Sequence, residues 1–253
     1  MEIENQITTR GDVQKRKLAT AIFFVFTSVC LIELVGEILQ WQWLILLTKP
    51  LLAPLLLIYY VLISPRINYW LLGAFSCVWI SNILFSFGNL YIETGTWFFL
   101  GYRFLVFILV MRVYRIRNWL PVFVGSFPFL FIYLVLIMLS YQSGNLNYMN
   151  FLQGGLIALI GGIALSGYVL RGDTLATVLL ISTIMFTGTQ FIFVIASYYP
   201  NILIFRPLTM LMYCVGQYAL LHFVLQSDGL ANRIPLERLS IQNELDEKKT
   251  ADS

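Results

Sequence analysis

Hydrophobic and polar positions follow one another along this chain in long blocks. Apolar runs of about 18–25 residues, each broken by a short polar stretch, predict helices that cross a bilayer. Eight such spans are expected, near residues 18–35, 43–63, 69–90, 97–114, 119–141, 148–170, 175–198 and 202–225. Tryptophan and tyrosine gather at their ends (Trp41, Trp43, Trp97, Trp119, Tyr148, Tyr198, Tyr199), where amphipathic rings anchor a helix at the interface. Residues 1–17 are polar, close on Lys15-Arg16-Lys17 and read as a solvated arm. No small-x-small cleavage site follows, and Glu33 and Glu37 interrupt the first run, so an uncleaved first helix is expected. Residues 226–253 are again polar and rich in charge, as in Glu244-Leu-Asp-Glu-Lys-Lys249, and a disordered tail is expected there.

Two of the apolar runs carry polar residues at helical spacing. Asn82, Ser86 and Asn89 stand at i, i+4 and i+7 and line one face of the third span. The stretch returns in the seventh span, where Thr183, Thr187 and Gln190 take the same places. Each stripe ends in a carboxamide, and the two are expected to form opposite walls of one site. Spans four and eight also each carry an early arginine, Arg103 and Arg206. A four-plus-four parallel duplication, with its axis along the membrane normal, explains both echoes; chance similarity between apolar helices explains them too.

Composition sharpens the class. The 253 residues are 59% hydrophobic and 11% charged, with mean hydropathy +0.80, whereas soluble chains are roughly a quarter charged. The ten-residue alternation of a transmembrane barrel is absent. The expected class is an all-α polytopic membrane bundle of eight helices. Orientation follows from lysine and arginine. Arg10, Lys15, Arg16, Lys17, Arg66, Arg112, Arg115, Arg117, Arg171, Arg233, Arg238, Lys248 and Lys249 all fall on one side of the eight-span topology. Connections one, three, five and seven hold none. Both termini are therefore expected in the cytoplasm, with the bundle in the plasma or inner membrane.

A net charge of +3, scattered among connections, gives no face for nucleic acid. Cys30, Cys77 and Cys214 lie inside apolar runs and read as small buried hydrophobes without metal spacing. The single histidine, His222, has no second histidine or acid near it in sequence. No cofactor is expected.

The candidate chemistry lies within the membrane. Glu33, Glu37, Asn89 and Gln190 fall late in outward-running spans, and Lys49, Arg103 and Arg206 fall early in inward-running ones. All seven are thus expected in the outer half of the bilayer. A charge in hydrocarbon costs about 2.5–3.5 kcal/mol on insertion scales, so such residues face a cavity or a partner. Several assignments stay open. Glu37 sits at the interface or in the interior; Lys49 snorkels outward or pairs with Glu33. Arg103 and Arg206 are interfacial anchors or anion ligands, and Asn89 and Gln190 join helices or line a site. Arg206, Tyr213 and Gln217 share one face of the last span.

Four pieces of these spans carry a resemblance. Thr48-Lys49-Pro50-Leu51, Phe85-Ser86-Phe87-Gly88-Asn89, Phe186-Thr187-Gly188-Thr189-Gln190 and Tyr213-Cys-Val-Gly-Gln217 are similar, in order and spacing, to the YhhN family, whose animal members are the lysoplasmalogenases. The resemblance runs across residues 18–225. It implies an eight-span membrane enzyme that hydrolyses the vinyl-ether bond of a lysoplasmalogen to a fatty aldehyde and a glycerophospho head group. It also implies two catalytic aspartates, at the positions that are Asn89 and Gln190 here. The family's fourth-span histidine has no counterpart in residues 97–114.

That departure is chemical. Vinyl-ether hydrolysis needs an acid to protonate carbon and a base to deliver water. A carboxamide keeps the shape of a carboxyl and exchanges no proton at useful pH. Three functions therefore follow as expectations. The first is a hydrolase in which Glu33 is the surviving acid, Lys49, Arg103 and Arg206 hold the phosphate of a membrane lysophospholipid, and Asn82, Ser86, Thr187, Tyr213 and Gln217 line the site. The second is a catalytically silent relative that binds lipid or a partner protein. The third is a small-solute transporter, for which no broken span is legible.

Overall fold

The polar breaks become the turns of a helical bundle. The computed structural model describes the backbone of residues 2–64, 66–87, 91–114, 116, 118–142, 148–198 and 202–251. Side chains are described for residues 14–229 of these, apart from 139–142, 148, 150, 194, 197 and 198. Among the described residues all regular structure is helical: α1 (Glu2–Leu39), α2 (Gln42–Thr48), α3 (Leu52–Ile63), α4 (Tyr69–Ser86), α5 (Ile92–Val113), α6 (Leu120–Gln142), α7 (Tyr148–Arg171), α8 (Thr174–Tyr198) and α9 (Phe205–Ala251). Eight segments are long and apolar enough to cross a bilayer, with α2 and α3 forming one of them.

Local chemistry sets several ends. Asn68 is extended and its side chain accepts the Trp70 N–H at 3.1 Å, which starts α4. Gly172, at φ +64°, closes α7 in the left-handed region that glycine tolerates. Asp173 then accepts the Ala176 N–H at 2.7 Å and opens α8.

Several expectations are corrected. The third span ends at Ser86 rather than residue 90, and residues 88–90, Asn89 among them, lie outside the described ones. The fourth begins five residues early, at Ile92. The second span is interrupted after all: Lys49–Leu51 form a 3₁₀ turn between α2 and α3. Pro50 has no N–H to give the helix ladder, and the tighter turn absorbs that loss. At the flanks the backbone of residues 2–17 continues into α1 and that of residues 226–251 continues α9. Both flanks are rich in residues that lose little on entering a helix.

Packing gives the bundle its order. In chain order α1 packs on α3, α4 on α5, α6 on α7 and α8 on α9, with α3 also against α4 and α7 against α8. The α3–α9 contact has its match in the α7–α5 contact. The α1–α9 and α6–α8 contacts have no such counterpart among the closely packed pairs.

The bundle is apolar on its outer face, and its apolar core encloses several polar and charged side chains. Phe123, Phe127 and Phe131 stand at i, i+4 and i+8 on α6 and are all exposed. Glu33, Asn82, Arg103, Gln153 and Gln217 are buried. Water would drive the opposite arrangement, so the outer surface is suited to lipid.

Candidate intramembrane site

Two polar clusters occupy the half of the bundle away from the arginine-rich connections. The first is built by α1 and the broken second span. Glu33 is fully buried, and the Thr48 hydroxyl donates to its Oε2. The same hydroxyl lies 2.7 Å from the Leu44 carbonyl oxygen, so its single proton serves one of two acceptors. Glu33 Oε1 has no hydrogen-bond partner. One turn along, Glu37 pairs with Lys49 at 3.8 Å. Lys49 therefore meets Glu37, not Glu33, and the 3₁₀ turn is what aims Thr48 and Lys49 at successive turns of α1. Cys214 of α9 closes this cluster, beside Cys30 and within electrostatic reach of Glu33 and Lys49.

Thr48 carries the testable weight here. Thr48→Val leaves a buried carboxyl with neither oxygen hydrogen-bonded, and is expected to cost about 1–3 kcal/mol. A lowered melting temperature in detergent reads this loss. Adding Glu33→Leu is expected to restore most of it, because removing both partners of a buried pair is close to neutral.

The second cluster centres on Arg103 of α5, which is only 2% exposed. Its guanidinium carbon lies 4.2 Å from the ring centre of Phe186, 4.9 Å from Phe99 and 5.3 Å from Tyr102. Among the described residues the one ion pair is Lys49–Glu37, so no carboxylate neutralises Arg103. Around it α4, α5 and α9 are tied by side chains. Asn82 donates to the Tyr213 hydroxyl at 2.9 Å, and the Tyr102 hydroxyl donates to Gln217 Oε1 at 3.0 Å. Gln153 of α7 donates to the Thr96 carbonyl at 3.2 Å. Three buried groups are left without partners: Arg103 Nε, Gln217 Nε2 and the Tyr133 hydroxyl. Arginine stays charged in proteins and has no acceptor of its own. A positive group ringed by unused donors is chemically an anion site. The void beside Arg103 is only about 10 Å³, so an anion larger than water needs the Phe186 or Phe99 ring to swing aside.

The residues expected at the site divide. Arg103, Asn82, Tyr213 and Gln217 come together. Arg206 lies exposed in the first turn of α9, the place of an interfacial anchor. Ser86 and Thr187 are half-buried and buried, and both donate to their own helices, at Asn82 O and Thr183 O. Gln190 is half-buried near the end of α8, and Asn89 lies outside the described residues. Among the described residues α4 and α8 are not a closely packed pair, and Asn82 of α4 reaches Tyr213 of α9 instead.

The sequence echo has a different physical basis. Ser81 donates to the Gly95 carbonyl at 2.8 Å, and Ser182 donates to the Gly216 carbonyl at 2.9 Å. Phe85 and Phe186, four residues on, pack against the same two glycines, where a Cβ would come within 2.7 and 3.0 Å of the rings. Each lock joins a span to the next, and the signal was the shared Ser-x-x-x-Phe spacing. Tyr102, Tyr133 and Gln153 gave no such signal, since single polar or aromatic residues in apolar runs are common.

Fold and interior together define a polytopic α-helical membrane protein with a charged core rich in unused donors. No protein-family model, curated protein or solved structure matches the chain.

Proposed function

We propose that this protein holds the phosphate-bearing head of a lysophospholipid-type amphiphile at Arg103 without hydrolysing it. The observation that carries the reading is the buried, acid-free Arg103 beside the unpartnered Gln217 Nε2 and Tyr133 hydroxyl. A phosphate accepts several hydrogen bonds and supplies the missing charge. The resemblance to the YhhN family supports the substrate class, and the amides at its two acid positions support binding without turnover. Glu33 and Glu37 are engaged with Thr48 and Lys49, and Glu93 stands in the first turn of α5, ten residues before Arg103, so among the described residues no acid–base pair is assembled at Arg103. The distribution of lysine and arginine supports an orientation with both termini in the cytoplasm.

Purified protein in mild detergent is expected to bind lysoplasmalogen saturably in calorimetry and to release no aldehyde. Converting Asn89→Asp and Gln190→Asp together is expected to produce aldehyde release. Robust release by the unaltered protein, lost in Glu33→Gln, would establish a hydrolase and sink the binding-only reading.

A further inference from the structure

A second cavity lies at the opposite end of the bundle, independent of Arg103. It has a volume of about 200 Å³ and sits between the α5–α6 connection and the last turns of α7. A water occupies about 30 Å³ of liquid, so the space suits a group the size of a phosphate with its glycerol. Val122, Ile163 and Leu170 form apolar walls, and Tyr114 and Arg171 stand at its polar end.

Tyr114 is 5% exposed, and its ring stacks on Phe223 with centroids 6.1 Å apart. Its hydroxyl has no hydrogen-bond partner. The carboxylate of Asp173 stands beside it; burial first, and then this acid, push the hydroxyl's pKa up, so it remains a donor. Asp173 itself is occupied at the start of α8 by the Ala176 N–H, where the helix dipole offsets its charge. The exposed Arg171 guanidinium lies 5.8 Å from the Tyr114 ring centre, with no carboxylate at ion-pair distance among the described residues. Arg112, Arg115 and Arg117 belong to the same end of the chain's topology. Basic residues outnumber acids at this end, where Asp173 and Asp228 are held by Ala176 N–H and by Tyr60 and Ser64, and the mouth opens where Leu170 and Asn118 are exposed.

We infer that this crevice binds one anionic phospholipid from the adjoining leaflet, its phosphate between Arg171 and the Tyr114 hydroxyl and its glycerol against Val122, Ile163 and Leu170. Basic pockets between spans at an arginine-rich end suit such head groups. The full-length protein, reconstituted in phosphatidylcholine vesicles holding about a fifth phosphatidylglycerol, is extracted and its retained lipids are counted by native mass spectrometry. One phosphatidylglycerol is expected to be retained in preference to phosphatidylcholine. Arg171→Gln is expected to lower that occupancy about tenfold and Tyr114→Phe about threefold, the scale of one charged and one neutral hydrogen bond. Both variants are to keep the parent's melting temperature. Arg103→Met is expected to leave retention unchanged, which separates this site from the lysophospholipid site. Equal retention of the two lipids, displacement by millimolar inorganic phosphate alone, or a fully retained lipid in Arg171→Gln overturns the inference.

Discussion

Arg103→Met is expected to leave the melting temperature in detergent within a few degrees of the parent and to weaken lysophospholipid binding about tenfold to a hundredfold. The two halves of that expectation have separate causes. A buried ion without a partner carries a desolvation penalty of several kcal/mol. The three rings around Arg103 return about 0.5–2 kcal/mol each. The two sums are comparable, and methionine fills the volume with a flexible apolar chain, so stability changes little. Binding loses the only charge-assisted contact in the cluster, which is worth about 1.5–3 kcal/mol. Calorimetry with lysoplasmalogen, alongside a thermal melt, reads both quantities on one preparation. A collapsed melting temperature with unchanged affinity assigns Arg103 a structural role and removes the site.

Gly162→Val is expected to give little or no folded protein. Gly162 of α7 packs on α6 so closely that a Cβ would meet the Ser126 hydroxyl and the Val122 carbonyl, with the Ser126 backbone nitrogen 2.9 Å away. Gly125 reciprocates, since a Cβ there would lie 2.9 Å from the Gly162 carbonyl oxygen. Backbone atoms cannot rotate aside, so the helices must separate along the crossing. Overpacking costs about 1–3 kcal/mol where side chains yield and more where they cannot. Against a total stability of about 5–15 kcal/mol, that is enough to lose the α6–α7 pair. Size-exclusion chromatography and a thermal melt report the loss. Gly155→Ala is the control: nothing lies within 4 Å of its Cβ, and about 0.5–1 kcal/mol of helix stabilisation is expected.

The polar stripes of the third and seventh spans show what a one-dimensional pattern can and cannot decide. Periodicity placed Asn82, Ser86, Thr183 and Thr187 on helix faces. It could not say that the hydroxyls of Ser86, Thr183 and Thr187 would turn back to their own carbonyls, a choice made by short side chains within reach of the i−4 carbonyl. Nor could it show that Ser81 and Ser182, off those stripes, would donate to glycine carbonyls of the neighbouring spans.

Class, span number and the split between basic and non-basic connections were written in the residue pattern itself, because a bilayer selects for length and apolarity segment by segment. Partnership was decided only by packing. Arg103 and Arg206 look equivalent along the chain, yet one is enclosed by rings from α5 and α8 and the other is exposed. Lys49 stood one residue from Thr48, and only the 3₁₀ turn assigned Glu37 to the lysine and Glu33 to the threonine. Hydropathy sums over one helix, whereas burial of a charge depends on which other helices arrive beside it.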